Sequence, residues 1–206
     1  MKKLVMILMA FCLTMPVAVN AQSKMVKKQV KAKLKEFAKE GYKVFGTAQT
    51  LEAVLTKHYM KLEENEGKIF EINGYGDAKS YNLASTAAQG SAAQKYASIC
   101  NTQLKERILG DMGLENSENS TEFDKFYAAY EAKIEQEIRG ELRPSVSVKK
   151  DLPDGRIHVE AYYLVDEDAA SRARQNALKN SQTESDVAQK YAQRVSDFVN
   201  QRVVVE

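Results

Sequence analysis

The stretch EINGYGDAKS, residues 71–80, carries the residue types of a phosphate loop: two glycines, then a lysine and a serine. A phosphate loop needs G-x-x-x-x-G-K-[ST], because its glycines let successive backbone amides turn toward one anion. Aligning Lys79 and Ser80 with the last two positions puts Asn73 and Ala78 where the glycines belong. The dinucleotide pattern G-x-G-x-x-G also fails, since Lys79 stands at the third glycine, where a small residue lets the helix pack on its strand. Gly74 and Gly76 are therefore read as a structural turn ending a strand, with Lys79 facing solvent near a helix start.

The other reactive side chains are scattered. His58 falls on the apolar face of a helical segment and reads as a partly buried packing residue. His158 alternates out of phase with Ile157 and Val159, on the strand face of Glu160. Neither histidine belongs to a pair with metal-ligand spacing such as H-E-x-x-H, so no metal is assigned. Cys100 lies among Ala93, Ala97 and Leu104, where apolar surroundings raise a thiol's pKa and suppress its thiolate. Ser147 and Lys150 match S-x-x-K, but on a strand and without the S-D-N and K-T-G partners of penicillin-recognising enzymes. Glu131 and Glu135, one helical turn apart, suit a solvated face as well as acid–base work. The sequence assigns no catalytic residue and no cofactor.

The elements that must carry these residues follow from periodicity. Residues 23–41 read as a helix, with Val26, Val30, Leu34 and Phe37 at helical spacing and Gly41 as its stop. Lys24, Lys27, Lys28, Lys31, Lys35 and Lys39 line much of its other side, a contact surface for an anionic membrane or lipopolysaccharide. A solvated polar face is the plainer reading, with Glu36 and Glu40 diluting the charge. YKVF, 42–45, is β-prone, and residues 49–65 form a second helix with Thr50 as N-cap. KIFEING, 68–74, reads as a strand. An alanine-rich helix follows over about 80–108, in which Ala84, Ala88, Gly90 and Ala92 are small enough for close backbone approach. A loop at 110–121, a helix from Glu122 and a hairpin around Pro153–Gly155 come next. Asp166 or Asp168 caps a final long helix that includes Val187, Tyr191, Val195 and Val199. Helices interleaved with a few strands, two forming a hairpin, give an α+β fold with a small, mostly antiparallel sheet.

The first residues address the chain to export. MKK is a basic start, Leu4 to Met15 is an apolar run of 12 residues, and Val19 to Ala21 supply small residues before a cleavage site at Gln22. The run is short of the ~20 apolar residues that span a bilayer. Phe11 before Cys12 departs from a lipidation motif. The expected organisation is a cleaved signal peptide, 1–21, and one α+β domain, 22–206, soluble and periplasmic or outer-envelope associated. Cleavage removes Lys2 and Lys3 and leaves 28 basic against 28 acidic residues, so the basic footprint of a nucleic-acid binder is missing. It also leaves Cys100 as the one cysteine, so no internal disulfide forms.

A strand ending in GYGDA followed by STAAQGSAAQKYASI, with the hairpin VSVKKDLPDGRIHVEAYYLV and a further helix, resembles the twenty-kilodalton outer-membrane lipoprotein (LPP-type) family over about residues 68–180. The resemblance implies envelope association without a shared enzymatic activity, and it transfers no site residues. The expected function is an exported, non-catalytic binding or structural module whose partner is another envelope protein or a second copy. The alternatives are a secreted hydrolase whose site is assembled from distant carboxylate and histidine residues, and a binder of anionic lipid. A deep pocket with two titratable groups in hydrogen-bond reach and with perturbed pKa values separates the hydrolase from the others.

Overall fold

The structure, a computed structural model, describes residues 23–112, 120–184, 186, 189 and 192–205. The expected signal peptide lies outside the described residues. Along the chain come α1 (Lys24–Glu40), β1 (Lys43–Val44), α2 (Leu51–Glu64), β2 (Ile69–Ala78), α3 (Tyr81–Met112), α4 (Ser120–Arg139), β3 (Pro144–Asp151), β4 (Ile157–Asp166), α5 (Glu167–Ser181) and α6 (Ala192–Asn200). The capping residues act as their types dictate. Thr50 accepts the Ala53 amide at 3.2 Å, Asp166 accepts those of Asp168 and Ala169, and Gly41 ends α1 at a φ of 77°.

The four strands form one antiparallel sheet in the order β1–β3–β4–β2, an α+β fold with the expected hairpin joining β3 to β4. Side chains alternate across a strand, so β4 feeds two cores. Val159, Ala161, Tyr163 and Val165 join Ile72 in the larger core, with α3, α4, α5 and α6. Tyr162 points the other way and joins Val146 and Val148 beneath α1 and α2, where Val26, Val30, Phe37, Val54 and Leu55 are buried. The molecule is thus three layers, with helices on both faces of the sheet.

Gly74 and Gly76 do not form a turn. Both lie inside β2, which runs on to Ala78, and neither has a positive φ. Their smallness serves packing instead. A Cβ on Gly74 would sit 2.1 Å from the Ala88 carbonyl oxygen, and one on Gly76 would sit 2.4 Å from that of Ala84. With Ala84, Ala88 and Ala92 fully buried opposite, α3 lies against the strand backbone. Gly90 is on a different side of α3, with the Arg139 guanidinium as its neighbour, so it takes no part in this approach.

The final helical segment is also not one long helix. α5 ends at Ser181, a short 3-10 turn follows at Gln182–Glu184, and α6 is described over Ala192–Asn200. Val187 and Tyr191 lie outside the described residues. Arg174 fixes this end of the chain. It is 1% exposed, and it donates to the Tyr96 hydroxyl at 2.6 Å, to Glu167 at 2.7 Å and to the Val199 carbonyl at 3.4 Å. One guanidinium thereby joins α3, α5 and α6.

Candidate functional site

The α2 helix presents Val54, Leu55 and His58 to the sheet because these positions recur at helical spacing. His58 is 2% exposed and lies between the rings of Tyr59 and Tyr162, at centroid distances of 5.1 and 6.2 Å. Both of its nitrogens are engaged. Nε2 meets Glu71 of β2, and Nδ1 meets the Ser145 hydroxyl of β3. A carboxylate is an acceptor, so the Nε2 of a neutral imidazole carries the proton and donates to Glu71. The Nδ1 lone pair then accepts the Ser145 O–H. His58 is thus more than a partly buried packing residue. It is the middle of a serine–histidine–carboxylate chain.

Ser145 reaches His58 through an irregularity in the sheet. Pro144 pairs with Tyr163 while Val146 pairs with Tyr162, leaving Ser145 as an extra residue on β3. Such a bulge redirects a side chain out of the regular alternation. The strand here is also open at its edge. β1 pairs only through Lys43 and Val44, the Phe45 amide donates to Ser147, and Gly46 turns the chain away at a φ of 78°.

A cavity of about 520 Å³ fills the resulting space. Phe45, Val54, Met60, Tyr81 and Pro144 give it apolar walls, and His58 and Ser145 lie on its lining. Phe45 and Tyr81 pack with centroids 3.7 Å apart. Lys57 and Lys61 stand at the rim with Glu64. The Lys57 ammonium donates to Gln49 at 2.9 Å, while Lys61 forms no ion pair among the described residues. Burial and the Glu71 charge push the nearby Tyr59 hydroxyl up to about 12, so it stays a neutral donor.

The other residues singled out from sequence are not brought together. His158 pairs with Asp77 across the β2–β4 ladder at 2.5 Å, with Tyr75 stacked beside it at 6.2 Å, away from His58. Ser147 and Lys150 are three apart on β3 and so point to opposite faces, which rules out S-x-x-K chemistry. Glu131 accepts from Asn101 and Glu135 from Arg139. Cys100 is buried, and loss of hydration pushes its thiol up to about 12. Lys79 is exposed, and the space behind Gly74 and Gly76 is filled by α3, so this segment has no anion cradle. All six lysines of the α1 stripe are exposed. At 100° per residue they fall within an arc of about 120° that excludes Glu36 and Glu40, so the acidic residues do not dilute the stripe.

Among the described residues no group of three or more His, Cys, Asp or Glu side chains is placed to hold a metal, and no helix is long and apolar enough to cross a membrane. No family model, curated protein or solved structure matches this chain.

Proposed function

We propose that this chain is an exported cell-envelope binding protein whose site is the cavity between α2 and β3. The observation that carries the reading is the cavity's two-part chemistry, apolar walls from Phe45, Met60 and Tyr81 beneath the rim cations Lys57 and Lys61. Apolar surface favours a hydrocarbon segment, while lysines at the mouth favour a carboxylate or phosphate headgroup. An amphiphile with a single anionic head satisfies both. The export motif and the LPP-type resemblance support an envelope location for such a ligand.

Isothermal titration with dodecanoate tests the pocket. We expect one site per chain, with affinity reduced at least tenfold by Lys61→Glu and unchanged by Lys79→Ala. Absence of saturable binding to the wild-type protein would refute the reading.

A second reading has its own support in the unbroken lysine arc of α1, which suits an anionic bilayer surface. It predicts adsorption to phosphatidylglycerol vesicles that weakens as salt shortens the Debye length, and that is lost when Lys28, Lys31 and Lys35 become glutamine. Adsorption that ignores salt and these three substitutions rejects it.

A further inference from the structure

We propose that Ser145 is an acyl-accepting nucleophile, with His58 as its general base, acting on carboxylic esters that bear a negative charge. The inference rests on the pocket reading above and goes past it, from holding a ligand to cleaving one.

Three features converge on this assignment. The side chains come from α2, β2 and β3, yet they form one continuous hydrogen-bonded chain. The roles within the chain are ordered by chemistry. Glu71 accepts the Nε2 proton and so fixes the tautomer whose Nδ1 lone pair faces the serine, which makes Glu71 a positioning residue. The bulge at Ser145 supplies access, because it takes the hydroxyl out of the ladder and onto the wall of an open cavity. A buried histidine that served only packing would need partners for its two nitrogens. It would not need one of them to be a hydroxyl bordering the cavity.

The reaction balances with water as the one co-reactant. Ser145 Oγ attacks the ester carbonyl carbon while its proton passes to His58 Nδ1. The carbonyl carbon–alkoxy bond then breaks, and the leaving oxygen takes the proton from Nδ1, releasing an alcohol and leaving acyl-Ser145. Water attacks the acyl carbon, giving a proton to Nδ1, and Ser145 Oγ recovers that proton as the carboxylic acid departs. Lys57 and Lys61 at the rim select a substrate whose acyl or alcohol part carries a carboxylate.

The test uses a fluorophosphonate ester, which phosphonylates activated serines, followed by intact-mass measurement and peptide mapping. We expect one adduct, on Ser145, absent in Ser145→Ala. In Glu71→Gln the maximal labelling rate should fall at least tenfold while the half-saturating probe concentration stays the same. A residue that only supports the fold would move both values or the melting temperature. His58 is buried and its replacement risks the fold, so the two variants above carry the test. We also expect the Ser145-dependent hydrolysis of the monoadipate ester of 4-nitrophenol, whose carboxylate is too far along the chain to expel the phenol efficiently, to be at least fivefold faster than that of 4-nitrophenyl hexanoate. No adduct at Ser145 in the native protein overturns the nucleophile, and preference for the neutral ester overturns the substrate class. Dodecanoate binding that persists without the adduct defeats this inference alone, whereas loss of both defeats the pocket reading as well.

Discussion

On the α3 face, the sheet meets helix backbone at contact distance; on the α1/α2 face, it meets long side chains that reach across a gap. Gly74 and Gly76 opposite Ala84, Ala88 and Ala92 define the first arrangement. Phe37, Tyr42 and Tyr162, with the Lys33 and Lys150 ammonium groups over their rings, define the second. A face built from small residues fixes the spacing of two elements and leaves no room between them. A face built from large residues encloses space wherever the side chains stop, and here the cavity opens where β1 ends. The same sheet therefore has a close-packed side and a side that holds a cavity.

The largest expected effect breaks the tight face. Gly74→Val places branched carbons inside the α3 backbone, and such overpacking costs about 3 kcal/mol or more, read as a markedly lower midpoint in a urea titration. A normal transition in that variant would show that α3 and β2 can separate freely. An intermediate effect is expected at Arg174. Its replacement by leucine leaves Glu167 without its cation and costs about 3 kcal/mol, part of which returns when Glu167→Gln is added. Additive losses in the double variant would show that the two groups are independent. The smallest effects should come from the open side and from the loop that mimics a phosphate site. Lys61→Ala and Lys79→Ala are exposed substitutions expected to change stability by less than about 0.5 kcal/mol in the same titration. A larger change at Lys61 would mean that the pocket rim supports the fold.

Much of this architecture was legible in the chain. Helical spacing at Val26, Val30 and Phe37, alternation at Val146–Val148 and Ile157–Tyr163, and capping chemistry at Thr50 and Asp166 are local signals, and they describe elements correctly. The role of Gly74 and Gly76 was misread because a glycine that ends a strand and one that admits a helix look the same in sequence. Only the position of α3 distinguishes them. The candidate site was less legible still. His58 reads in sequence as a packing residue, because Glu71 and Ser145 are 13 and 87 residues away from it and their approach depends on strand order and on one bulge. Nothing in the local pattern of RPSVSV marks the serine at 145 over that at 147.

The two cores also differ in when they can close. The core beneath α1 and α2 is complete once β4 is made, since its last member is Tyr162. The core on the α3 side includes Val195, Val199 and Val203, and Gln103 and Arg107 of α3 bind the carbonyls of Val204, Phe198 and Arg202. A chain that emerges amino end first can therefore finish one core some forty residues before the other. Until the last valines arrive, the part of this core that Val195, Val199 and Val203 close stays open. The hazard during synthesis is then aggregation through that open part of the core, which the docking of the chain's own tail closes.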